Sequence, residues 1–128
     1  MDRKKLTKRL IYLIFFILII NFLADKFYWY YSIWWFDMPM HFLGGFWIGL
    51  VSFYLFLPKN NYFNSFLKIL LFVLLVGIGW EVFEILVNDV ITQNLFNYLD
   101  TISDLFFDLA GGTFGILYFF RRIMLQLE

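Results

Sequence analysis

The sequence predicts an all-α polytopic membrane protein: a bundle of four transmembrane helices with an aromatic segment at the membrane interface. Three observations lead there. Hydrophobic residues make up 62% of the 128 positions, and the mean hydropathy is +0.76. A globule this small has too much surface for its volume to bury that excess, so lipid is the natural solvent for it. Long apolar runs of roughly 18–22 residues recur along the chain, enough to cross a hydrocarbon core of about 30 Å. Finally, the basic residues collect on one side of those runs.

The first span is expected from Leu6 to Ala24. It follows the basic start Asp2-Arg3-Lys4-Lys5, and no small-x-small cleavage site comes after it, so it reads as a retained helix and not a signal peptide. Phe27–Phe36 is almost wholly aromatic and is placed at the headgroup level, where Trp and Tyr collect. The second span covers Met38–Leu57 and stops at Pro58. The third covers Phe66–Val87, and the fourth Thr101–Phe120, closed by Arg121 and Arg122. None of these runs alternates in polarity, which argues against a β-barrel. Residues 1–128 form one membrane domain with no internal repeat.

Alternating topology puts Arg3, Lys4, Lys5, Lys8, Arg9, Lys59, Lys68, Arg121 and Arg122 on one side and Lys26 on the other. By the positive-inside rule the chain is a multi-pass protein of the cell membrane with both termini in the cytoplasm. Nucleic acid is not an expected partner, since topology already accounts for the basic residues. The chain has no cysteine, which excludes disulfides and thiolate chemistry.

The acidic residues lie differently. Asp25, Asp37, Asp89 and Asp100 flank spans on the outer side, whereas Glu81, Glu84, Asp104 and Asp108 lie within them, and His41 lies just inside the second. A buried acidic residue costs about 2.5–3.5 kcal/mol on an insertion scale, and an interhelical hydrogen bond returns about 0.6 kcal/mol. Structural glue is therefore a poor reason for four of them. Helical rise sets His41, Glu81, Glu84, Asp104 and Asp108 at one level in the outer half of the bilayer, about 6–12 Å deep. Spacing by three or four gives Asp37 and His41 a common face, Glu81 and Glu84 another, and Asp100, Asp104 and Asp108 a stripe. One turn deeper lie Gly45, Gly77 and Gly112, and Gly45–Gly49 and Gly111–Gly115 extend the stripes as close-packing motifs.

Carboxylates crowded in a low dielectric cannot all ionise unless something neutralises them. A divalent metal cation would do so, and oxygen ligands with one imidazole suit Mg²⁺, Mn²⁺, Zn²⁺ or Fe²⁺ alike; the same outward-facing pocket could instead take a polar head group. The candidate metal ligands are Asp37, His41, Glu81, Glu84, Asp100, Asp104 and Asp108. In a catalytic version, His41 or Glu84 is the general base for hydrolysis or transfer on a lipid-linked or envelope substrate. Asp37 and Asp100 also suit helix capping. Proton relay is the competing use of such a chain of acids, in a proton-coupled or cation transporter, although the inner half offers few polar stations. A third reading is a non-catalytic subunit of an envelope complex.

The motifs D-x-x-x-H-F-x-G-G-F (Asp37 to Phe46), W-E-x-x-E (Trp80 to Glu84) and D-T-x-x-D (Asp100 to Asp104) resemble those of the YjdF-like family of bacterial inner-membrane proteins. Leu99 stands where that family's pattern has Trp. More distantly, Asp104-LFF-Asp108-LAG resembles the VanZ-like D-x-x-x-N-x-x-G, with Asp108 in place of Asn and Gly115 matching the next glycine. The Arg upstream of the VanZ-like motif and the Gln after its Glu have no counterpart here. The resemblance spans roughly Asp37 to Gly115. It implies a small inner-membrane protein, and the VanZ-like part implies a cell-envelope role connected with glycopeptide resistance.

Overall fold

The computed structural model describes residues 3–56, 62–92 and 96–127. The elements, in order, are α1 (Arg3–Lys26), a short α2 (Trp29–Ser32), α3 (Asp37–Phe56), α4 (Tyr62–Val87) continued by a π-helical turn (Asn88–Thr92), and α5 (Tyr98–Leu127). No strand occurs among the described residues. Four helices are long and apolar enough to cross a membrane: Arg3–Lys26, Asp37–Phe56, Phe63–Val90 and Tyr98–Arg122. The expected all-α, four-span bundle is thus observed. The expected stop at Pro58, with Lys59, lies outside the described residues.

Most helices overrun the apolar runs that announce them. α1 begins at Arg3 instead of Leu6, α4 at Tyr62 instead of Phe66, and α5 runs from Tyr98 to Leu127 instead of Thr101 to Phe120. Hydropathy reports the stretch that lipid must solvate. Backbone hydrogen bonding continues into the headgroup zone, where charged and polar side chains reach water. The start of α5 also has a clear local cause. Asn97 Oδ1 accepts from the backbone N–H of Leu99 at 3.2 Å and of Asp100 at 3.4 Å, which makes Asn97 the N-cap. The capping role considered for Asp100 is therefore filled three residues earlier.

α3 and α5 make the most extensive helix contact, and glycines make it possible. A Cβ on Gly45 would strike the backbone of Asp108, and one on Gly49 would stand 2.9 Å from the carbonyl oxygen of Gly112. In return, a Cβ on Gly111 would strike the carbonyl of Phe42, and one on Gly115 would stand 2.9 Å from the carbonyl of Phe46. Each helix thus offers two glycines, one turn apart, to two carbonyls of the other, and the two backbones touch. Dispersion between close-packed backbones is what holds membrane helices together where lipid is as apolar as their side chains.

Beyond the glycines the bundle closes with apolar side chains. Leu6, Leu10, Leu50, Phe53, Ile69, Val73, Ile116 and Phe119 form its core. Phe53 stacks on Phe119 with centroids 4.1 Å apart. α5 is the most enclosed span and α1 the least, with 39% and 11% of their most apolar windows buried; α5 is the centre and α1 leans on the outside. Two polar contacts dock α1. Trp47 Nε1 donates to the Leu10 carbonyl at 2.9 Å, and Arg9 Nη1 donates to the Tyr118 hydroxyl at 2.9 Å. The basic start of α1 therefore lies beside the basic end of α5.

The aromatic segment does not span. Tyr28 takes a left-handed conformation (φ 57°) and turns the chain out of α1. Its carbonyl accepts from the Ser32 N–H at 3.0 Å and the Ser32 hydroxyl at 3.0 Å. Tyr31, Trp34 and Trp35 are exposed beside it, as an interfacial belt requires.

A candidate metal centre in the bundle

Three helices bring the acidic side chains together at the end of the bundle opposite the arginines. His41 lies one turn into α3 and is buried. Asp37 shares its face one turn earlier, and the Asp37 Oδ1–His41 Nε2 distance is 3.6 Å. From α5, Asp104 Oδ2 lies 3.5 Å from the same Nε2, and Asp108 Oδ1 lies 3.0 Å from the other ring nitrogen, Nδ1. The glycine contact is what makes this reach short. Gly45 rests on the backbone of Asp108, so the two helices are close enough for a side chain on one to meet its counterpart on the other.

α4 supplies the third side. Glu81 is 5% exposed and Asp104 2%. Glu81, Glu84 and Asp104 each offer a carboxylate oxygen, and these atoms lie within 4.8 Å of one another. Asp37, His41 and Asp104 do the same. Both triads meet the spacing a metal ion needs, and Asp104 belongs to each. Two oxygens, Glu81 Oε1 and Asp104 Oδ2, are buried and receive no hydrogen bond. A buried carboxylate oxygen left so is costly and needs a compensating partner.

The remaining candidates divide plainly. Asp108 is buried but joins neither triad. Its Oδ1 engages His41 Nδ1, and its Oδ2 packs where a Cβ on Gly77 would stand, 2.7 Å away. Asp108 thus reaches across to α4 beside Gly77, which lies one turn below Glu81 on that helix. Asp100 is exposed in the first turn of α5. Asp89 is exposed in the π-helical turn, and Asp25 is exposed near the end of α1.

Several residues of the site were not singled out from the sequence. Trp80 Nε1 donates to Glu84 Oε1 at 2.8 Å, one turn apart on α4, and the W-E-x-x-E spacing could have indicated it. Tyr30 folds back onto α1 and donates to Asn21 Oδ1 at 2.6 Å. Burial, with Asp37, Asp25 and Glu84 close by, pushes its phenol up to about 12. No periodicity marks Tyr30 among its aromatic neighbours.

Fold and cluster together define a small multi-pass helical membrane protein whose buried carboxylates and histidine are gathered at one end. The chain belongs to the family described as Predicted membrane protein (DUF2238), whose sequence profile matches residues 1–124. This is the YjdF-like family of the sequence resemblance. No curated protein and no solved structure matches the chain.

Proposed function

We propose that this protein binds a divalent cation at the outer end of its bundle, through Asp37, His41 and Asp104, in the service of the cell envelope. The observation that carries the reading is Asp104 Oδ2, buried without a hydrogen bond and 3.5 Å from His41 Nε2. A cation between them would neutralise the carboxylates and take up that lone pair. Asp108 suits a supporting role. By accepting from Nδ1–H it leaves Nε2 as the free lone pair facing Asp37 and Asp104, the carboxylate–histidine–metal arrangement that orients a ligating imidazole. The basic residues gathered at the opposite end support an outward-facing centre with cytoplasmic termini. The VanZ-like motif around Asp104 and Asp108 supports an envelope role, with a lipid-linked substrate within reach of His41 or Glu84 as base.

The test is metal content. Purified protein, stripped with chelator and reloaded with Mn²⁺, is expected to retain the ion through desalting. Asp104→Asn should lose it while the helical signal persists, because Asn keeps the shape and removes the charge. Asp89→Asn, in the exposed turn, should retain it. A wild-type protein that keeps no metal would sink the reading.

One observation favours a second reading. Both ring nitrogens of His41 face carboxylates, which also suits an imidazolium inside a proton-sharing network, as in a proton-coupled carrier. That network would hold no metal in the same experiment.

A further inference from the structure

We propose that the centre takes two divalent cations, with Asp104 as the bridging ligand and Glu81 and Glu84 holding the second. This rests on the first cation site described above. The two triads share one residue, Asp104, and are otherwise drawn from different helices: Asp37 and His41 from α3, Glu81 and Glu84 from α4. A carboxylate has two oxygens and can bridge a pair of ions about 3.5–4 Å apart. Asp104 is placed to do so, buried between the two groups.

A single cation leaves a defect that a second removes. The unpartnered oxygen of the α3 side is Asp104 Oδ2, beside His41 Nε2. The α4 side has its own, Glu81 Oε1, in a residue only 5% exposed. Trp80 Nε1 holds Glu84 Oε1 by a hydrogen bond of 2.8 Å. Such fixed orientation is how outer groups prepare metal-binding carboxylates. Charge points the same way. The two triads contain four carboxylates, Asp37, Asp104, Glu81 and Glu84. One divalent ion balances half of that charge and two balance all four, leaving Asp108 as the one buried carboxylate held by the His41 Nδ1–H alone. Asp108 is already engaged by His41 Nδ1, and Asp100 is exposed.

The experiment counts ions per chain. Full-length protein in detergent is stripped with chelator, loaded with Mn²⁺ and desalted. Bound Mn²⁺ is then measured by elemental analysis and by electron paramagnetic resonance. The expected result is about two Mn²⁺ per chain with the broadened, exchange-coupled signal of a close pair. Glu81→Gln should drop the count to about one and restore an isolated-ion signal. Glu84→Gln should do the same, which guards against one variant failing to fold. His41→Gln should weaken the other ion and also remove the coupling. About one Mn²⁺ in the wild type, with Glu81→Gln unchanged, overturns the pair and leaves the single-cation reading standing. No retained Mn²⁺ in the wild type overturns both.

Discussion

Asp104 and Asp108 lie one turn apart on α5 and face the same imidazole, yet the structure gives them different work. Asp104 turns an unsatisfied oxygen toward Nε2, whereas Asp108 holds Nδ1 at 3.0 Å. Removing a group that orients a metal-binding histidine typically costs about 10–100-fold in affinity. Asp108→Asn is therefore expected to weaken Mn²⁺ binding by about that factor without abolishing it, whereas Asp104→Asn abolishes it; competition with a chelator of known affinity separates the two. Tyr30 offers a test outside the metal itself. Its phenol ionises near 10.0 when free and at about 12 in the folded chain. Between those values the folded state holds a proton that the unfolded state has lost. The stabilising contribution is complete below pH 10 and disappears as pH rises through about 12. Tyr30→Phe should flatten that alkaline decline in thermal stability. If the variant declines as the wild type does, the phenol is not the group responsible.

At the scale of the helix, glycines that look alike in sequence differ in what surrounds them. Gly111 abuts the backbone carbonyl of Phe42, which cannot move without moving α3, whereas the nearest neighbour of Gly112 is the Val73 side chain, with its methyls at 3.0 and 3.1 Å. Gly44 and Gly79 have no neighbour within 4 Å of the added carbon. Thermal unfolding in detergent should rank the alanine variants accordingly. Gly111→Ala is expected to lose about 3 kcal/mol or more and Gly112→Ala about 1 kcal/mol, the range over which overpacking acts. Gly44→Ala and Gly79→Ala should be neutral or slightly stabilising, since Ala is the better helix former. Equal losses at Gly44 and Gly111 would mean that α3 and α5 do not meet as described. Spacing made the pairing legible, because Gly45 and Gly49, like Gly111 and Gly115, repeat every four residues. It could not show which backbone atom each would touch. Nor could it tell a ligand from its support. Asp104 and Asp108 occupy one stripe in sequence, and only the crossing of α3 and α5 decides which ring nitrogen of His41 each carboxylate reaches.

For the whole molecule, the sequence carried the spans, the common level of the acids and the separation of charge, because lipid imposes all three on composition. It did not carry the helix ends, the Asn97 cap or the fold of Tyr30 onto Asn21, which depend on single hydrogen bonds. The orientation invites a direct check. Reporter fusions after Glu128 and at Lys59 are expected to read cytoplasmic, and one at Gln93 external; an external reading after Glu128 would invert the positive-inside assignment.

The pairing of α3 with α5 also fixes a timetable. The two glycine faces that meet are separated in the chain by the whole of α4. During synthesis α3 leaves the ribosome first and has to wait in the bilayer, since chains emerge at only about 5–20 residues per second. Through that interval His41, Glu81 and Glu84 have neither Asp104 nor Asp108 beside them. A chain stalled before Tyr98 would leave His41 with Asp37 alone and Glu84 with Trp80 alone, without the α5 carboxylates that complete the cluster. The arrival of α5 is the event that buries His41, by setting Asp104 and Asp108 against it.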